Sequence, residues 1–216
     1  MLTIDSESET DMETRTYIVE TAFRCFLGEG FDQVSLNSLI ARTGLSKGAF
    51  YHYFNSKEDL LNEIADQYLL DYIGKNLNQA DVSDNRVSFD QQLDSLIKTM
   101  FAFQTSMPHL LKTTADCKRF FHMLFSVLNQ NEKLKQNYIK TREKFLSKFE
   151  HLLQVAIANH EISKHIDVQQ VAVALYATMR GTMFEWSISE EDEIEPLIHA
   201  NVRCIVDILK IGVKNE

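Results

Sequence analysis

The stretch FDQVSLNSLIARTGLSKGAFYHYFNSKEDLL, residues 31–61, decides how the rest of this chain is read. Ser35 stands where a helix can open, and Leu36, Leu39 and Ile40 fall on one side of the two turns that follow. Thr43-Gly44-Leu45 interrupts that helix, and Ser46 caps a second short one that runs through Phe54. Asn55-Ser56 breaks the pattern again. Ser56 with Asp59 three residues on resembles a capping box that opens a longer, fourth helix towards Leu77. Two short helices joined by a tight glycine turn make a helix-turn-helix over about 35–54. Such a turn needs a positive φ, which costs any residue with a Cβ, and Gly44 occupies that position.

The pattern divides the segment into two faces. Leu36, Leu39, Leu45 and Phe50 are expected to lock the pair against the helix before it. Ser46, Lys47, Gly48, Ala49, Tyr51 and His52 are left pointing outward. Small side chains at 48 and 49 let a helix approach the floor of a major groove. Lys47 reaches a guanine edge or a phosphate, and Tyr51 and His52 reach phosphates or bases. Ser35 and Lys57 stand at helix starts, where a hydroxyl, backbone N–H groups and an ammonium meet backbone phosphates. Arg42 adds a further positive charge. From Gln33 to Lys57 there is no Asp or Glu, in a chain with 31 acidic residues. The net charge of −9 is therefore misleading, because residues 15–62 are neutral in sum and residues 1–14 carry five acidic residues and no basic one.

Outside this segment the chain reads as all-α. Two prolines and seven glycines in 216 residues are too few for the turns of a many-stranded protein. Residues 1–11 are polar and acidic without periodicity and read as a disordered tail. The spacing predicts a first helix from Glu13, with Ile18, Ala22, Phe23, Phe26 and Leu27 on its core side. After the fourth helix it predicts others at about 87–106, after Pro108, and at 117–129, 132–158, 168–187 and 196–213. Asp167 with Gln170 marks one clear start. The organisation expected is a tail at 1–11, a three-helix DNA-binding headpiece at 12–60 and a larger helical domain at 61–216, about nine helices in all. Three dispersed cysteines offer neither a disulfide framework nor a Cys-x-x-Cys site. No apolar run approaches the ~20 residues of a membrane span, and no leader precedes the first helix, so a cytoplasmic protein without membrane attachment is expected.

The same residues resemble the headpiece of the TetR family of bacterial transcription regulators. Gly30-Phe31 matches the pair that ends the family's first helix, and Ser35 matches its second-helix opening. Gly44 to Gly48 match its Gly-apolar-Ser-Lys-Gly turn, and Phe50, Tyr51 and Phe54 its recognition helix. Ser56-Lys57-Glu58 match the start of its fourth helix. Ile40 departs from the alanine common four residues before the turn glycine. The resemblance covers about 15–65 and implies a sequence-specific DNA-binding regulator. It further implies binding as a dimer to a double-stranded operator, usually as a repressor released by a small molecule, with no cofactor and no enzymatic activity.

The body is expected to sense that effector and to dimerise through helices 168–187 and 196–213. Val168, Val171, Ala172, Leu175, Tyr176, Met179, Met183 and Phe184 line one of them. Leu197, Ile198, Val202, Ile205, Val206, Leu209 and Val213 line the other. Phe-rich segments between 87 and 153, with Met100, Met107 and Met123, suit either a cavity or an ordinary core. Candidate ligand contacts there and beyond are Phe103, His109, Phe121, His122, Phe125, Tyr138 and Arg180. His151, His160, Glu161 and His165 lie close in sequence but lack any metal-ligand spacing, and no phosphate loop or nucleophile elbow occurs. Two other classes stay open on the residues alone. One is a helical interaction module that keeps the headpiece without using it, and the other, more distant, is an enzyme.

Overall fold

The computed structural model describes residues 4–67, 77, 87–101, 109–128 and 131–211. All regular structure among them is helical: α1 (Ile4–Glu29), α2 (Leu36–Thr43), α3 (Lys47–Tyr53), α4 (Lys57–Ala65), α5 (Phe89–Phe101), α6 (Thr114–Leu128), α7 (Glu132–Ala158), α8 (Val168–Ile188) and α9 (Ile194–Ile211). The helices form two compact units, residues 1–69 with 107–135 and residues 70–106 with 136–216.

In the first unit, Ile18, Val19, Ala22, Phe23 and Phe26 of α1 are at most 1% exposed, as their 3.6-residue spacing requires. α1 packs against α2 and α4, whose Leu39, Leu60 and Ile64 are buried with it, and Phe50 of α3 and Phe54 just after it are buried in the same unit. Gly30 (φ 87°) ends α1, its N–H donating to the Phe26 carbonyl, and Phe31 turns back edge-on against Phe26 at 5.1 Å. α1 also packs against α6, where Phe23 and Phe120 meet edge to face at 5.4 Å; ahead of α6, the His109 ring lies 3.0 Å from the Glu20 carboxylate. A headpiece bounded at residue 60 is thus the extent of the motif, whereas the packed unit also takes in 107–135. Thr113 and Asp116 form a capping box ahead of α6, with the Asp116 carboxylate accepting from the Thr113 N–H at 3.0 Å. The short helix expected after Pro108 is a turn at His109–Leu110, and α6 starts at Thr114.

One expectation is corrected here. The acidic stretch read as a disordered tail is helical from Ile4 onward. Its many carboxylates complement the positive end of the helix dipole, and Glu favours helix, so it extends α1 back by two turns.

The second unit is built on α8 and α9, which pack side by side, with α9 also against α5. Asp167 caps α8 by accepting from the Gln170 N–H at 3.1 Å. The Asn201 amide donates to Thr182 Oγ1 at 2.8 Å between α8 and α9. Glu161 takes the first free amide of α5, the Phe89 N–H, at 2.8 Å, which gives that residue a structural task. His160 has φ 58° in the same loop. Among the described residues no group of three His, Cys, Asp or Glu is placed to hold a metal ion, and no helix is long and apolar enough to cross a membrane.

Most of the two stripes expected to dimerise faces the protomer's own core, whereas Phe184 of the α8 stripe is exposed and Val168, Val171, Leu197 and Ile205 are half-buried. Ala172, Leu175, Met179 and Met183 of α8 and Ile198, Val202 and Val206 of α9 are at most 1% exposed. Val213 lies outside the described residues. With Phe184, a narrower stripe is left outside: Val173, Ala177, Gly181 and Ile188 on α8, and Ala200, Cys204 and Ile208 on α9. The richest apolar face of any helix fills its own bundle first, and only the leftover face is free for a partner.

Candidate nucleic-acid interface

Each end of the helix-turn-helix is fixed by the residue that the local chemistry calls for. Ser35 Oγ accepts from the Ser38 N–H at 3.2 Å and caps α2. Gly44 adopts φ 69°, and its N–H donates to the Ala41 carbonyl at 3.3 Å, which closes α2 in a left-handed turn. Ser46 Oγ accepts from the Ala49 N–H at 3.2 Å and opens α3. Ser56 Oγ accepts from the Asp59 N–H at 3.0 Å, and the Asp59 carboxylate reaches one residue beyond an ordinary capping box, to the Asn55 N–H at 3.2 Å.

Phe50 is fully buried on the inner side of α3, with Phe54 just after the helix packed the same way. Ile40, the departure noted above, is buried as well, and its carbonyl accepts from the Thr43 hydroxyl at 2.8 Å, so the larger side chain is absorbed without opening the unit. Ser46, Lys47, Gly48, Ala49, Tyr51 and His52 are all exposed, as their outward placement required. α3 therefore presents a surface of small, cationic and aromatic side chains that carries no carboxylate of its own.

Two of the candidate cations are engaged internally. Arg42 donates to Cys25 Sγ at 3.1 Å and forms an ion pair with Glu29. The hydrogen bond from Arg42 to Glu29 is the main cause that raises the Arg42 guanidinium, with Cys25 adding to it, and the same bond holds the Glu29 carboxyl below its ordinary range. The Lys57 ammonium donates to the Phe31 carbonyl at 3.0 Å and sits 4.4 Å over the Phe31 ring, which fastens the start of α4 to the end of α1. Ser35 and Ser46 likewise spend their oxygens on caps, leaving their hydroxyl protons free to donate.

A clamp that sequence spacing did not disclose holds α3 in place. Arg15 of α1 forms a two-pronged pair with Glu63 of α4, both contacts at 3.1 Å. Its third nitrogen donates to the Tyr53 carbonyl at 3.4 Å, and the guanidinium lies 4.5 Å over the Phe54 ring. One side chain thus ties three helices across 48 residues of sequence, a separation no local pattern encodes. We expect Arg15→Ala to lower stability by about 1 kcal/mol, discounted for the exposure of the pair, and a urea melt measures it.

The helical extension of α1 also reaches this surface. The Asp11 carboxylate accepts from the Tyr53 hydroxyl at 2.8 Å and stands 3.9 Å from the His52 ring. A negative charge beside a DNA-facing helix opposes phosphate. Asp11→Asn is expected to tighten DNA binding about two- to five-fold at low salt and not at high salt, as titrations at two ionic strengths would show.

The sequence-derived ligand candidates separate into two groups. His109, Phe121, His122 and Phe125 belong to the first unit: Phe121 is buried, Phe125 half-buried, and both histidines are exposed. Tyr138 and Arg180 belong to the second and meet there, with the guanidinium 5.3 Å over the phenol ring. Phe103 and Met107 lie outside the described residues, as does the fourth helix beyond Gln67 apart from Leu77.

This geometry defines a helix-turn-helix unit. Residues 18–64 match the sequence model of the bacterial regulatory proteins of the tetR family. The chain is 26% identical over 180 residues to the uncharacterized HTH-type transcriptional regulator YvdT of Bacillus subtilis, covering 82% of this chain and 84% of that one. The HTH-type transcriptional repressor BepR of Brucella suis is 24% identical over 201 residues, with 88% and 87% covered. Among solved structures, the SmeT–triclosan complex superposes with a TM-score of 0.70 at 19% identity, over 93% of this chain and 94% of that chain.

Proposed function

We propose that this regulator is a homodimeric repressor whose two α3 helices read a two-fold operator in double-stranded DNA, and that a small-molecule effector releases it. The observation that carries the reading is the outer surface of α3, exposed from Ser46 to Ala49 and at Tyr51 and His52, on a helix whose caps and clamp hold it rigid. A preformed, carboxylate-free helix surface is what major-groove reading needs. Repression and ligand release are supported by the relatives named above, one called a repressor and one solved with triclosan. Cys25, Arg42 and Glu29 brace the turn from behind, so Arg42 shapes the surface more than it touches DNA.

Dimerisation is supported by the leftover stripe. Phe184, Ile188 and Ile208 are 47%, 58% and 69% exposed on two helices that pack together, with Gly181 and three alanines or cysteines between them. Small residues allow a close approach and large ones interdigitate, which suits a four-helix contact about a two-fold axis. The effector can act only by binding the DNA-competent and incompetent states with different affinity. The protein works in the cytoplasm by binding alone, with no cofactor beyond the effector and no catalysed reaction.

Lys47→Ala tests the DNA reading. Operator affinity is expected to fall about ten-fold or more, with an unchanged melting curve, because an exposed N-terminal lysine contributes to contact and not to the core. Gel-shift titration measures it, and equal affinity in the variant would remove α3 from the interface.

A further inference from the structure

The effector reading leaves open what kind of molecule is bound, and one side-chain cluster of the second unit bears on this. Tyr176 of α8 is only 7% exposed, yet it carries a phenol whose hydroxyl donates to the Tyr138 hydroxyl of α7 at 3.4 Å. Two guanidiniums converge on this pair. Arg142, one turn beyond Tyr138, lies 5.9 Å from the Tyr176 ring centre, and Arg180, one turn beyond Tyr176, lies 5.3 Å from the Tyr138 ring centre. The arrangement is reciprocal, each helix supplying one phenol and one guanidinium. Arg142 is half-buried and has no hydrogen-bond or ion-pair partner among the described residues. Arg180 Nη1 points at the thioether of Met183, at 3.3 Å.

A half-buried guanidinium such as Arg142, with a ring face and no anion against it among the described residues, bears a desolvation cost. The Tyr176 ring face returns to Arg142 only a fraction of what an anion would. Burial pushes the Tyr176 hydroxyl above its ordinary range, further than Arg180 and Arg142 draw it down, so it stays protonated and able to donate at neutral pH. The cluster therefore offers hydrogen-bond donors and positive charge on one side. On the other it offers carbon, since Phe145 stands 6.0 Å from Tyr176 and, like Met183, is at most 2% exposed. The fork of a guanidinium matches the two oxygens of a carboxylate.

We infer that Arg142 and Arg180, with Tyr138 and Tyr176, form the head-group site for an amphipathic organic carboxylate, the apolar part of which lies against Phe145 and Met183. This rests on the effector reading above and gives it a chemical class. The sequence offered Tyr138 and Arg180 singly; Arg142 and Tyr176 join them only through the pairing of α7 with α8.

Calorimetry on the full-length protein at pH 7.5 tests the site with four probes. Decanoate and 2-naphthoate carry the carboxylate on a linear and an aromatic body, and decanol and 2-naphthylmethanol carry the same bodies without charge. At least one carboxylate is expected to bind ten-fold or more tightly than its alcohol, and the better of the two identifies the body. Arg142→Gln and Arg180→Gln should each weaken that carboxylate ten-fold or more. Arg142→Lys, which keeps the charge but not the fork, should weaken it by a smaller factor, and it decides the matter if a Gln variant melts without cooperativity. Carboxylates no tighter than their alcohols, or unchanged affinity in the Arg142 variants, would overturn the assignment. The titration contains no DNA, so the two readings fail separately. A carboxylate that binds through Arg142 yet leaves operator affinity unchanged upholds the site and defeats ligand release. Operator binding by a protein indifferent to both carboxylates does the opposite.

Discussion

Phe184→Asp is expected to turn the proposed dimer into a monomer at micromolar concentration and to reduce operator affinity with it. Phe184 is 47% exposed in the protomer and lies on the α8–α9 stripe with Ile188 and Ile208. A carboxylate buried there without a partner costs roughly 3 kcal/mol or more, and two-fold symmetry imposes it twice. One such cost alone weakens the dimer by about a hundred-fold. Because the side chain faces away from the protomer core, the thermal transition of the isolated protomer should barely move. Sedimentation velocity at several concentrations, run beside a gel shift, reads both effects. A variant that stays dimeric would move the interface to another surface.

The second large effect is expected from Phe50→Ala, and of the opposite kind. Phe50 is fully buried between α3 and the rest of the headpiece, 6.5 Å from the Phe54 ring and edge-on to Tyr51. Truncation should cost about 3–5 kcal/mol through lost burial and the cavity left behind. That is a large share of a typical domain's stability. DNA binding should be lost because the helix carrying Lys47 is no longer held, although Phe50 points away from the groove. Circular dichroism melts and hydrogen exchange on α3 would show the loss as unfolding, in contrast to Lys47→Ala, where folding survives and only affinity changes.

The contrast between these variants follows what could be read from the chain. Caps and turns depend on residues within four positions of one another, so Ser35, Gly44, Ser46 and Ser56 could be placed from spacing, and the structure puts each at its helix end. The outward set on α3 was legible for the same reason. Partners distant in sequence were not. Nothing local shows that Lys57 binds the Phe31 carbonyl, that Arg42 pairs with Glu29, or that Arg15 closes on Glu63. A strong apolar stripe says that a helix buries one side, but not against what: most of the α8 and α9 stripes fills their own bundle, and Phe184 alone of the exposed positions belongs to the stripe the spacing picks out. The acidic start of the chain misled in a related way, since composition alone favours disorder whereas a helix already nucleated at Ile18 to Phe26 can propagate back through it. The effector candidates were chosen by residue type, and only the α7–α8 pairing shows which of them share a place.

Selection of genomic DNA fragments by the full-length protein, followed by footprinting of the tightest fragment, tests the central claim most directly. The protein should enrich sites with two-fold symmetry, half-sites separated by about one helical turn or a multiple of it, and lose them on Lys47→Ala. Enrichment of no sequence above the input pool, or of the same asymmetric sequences by both proteins, would contradict it.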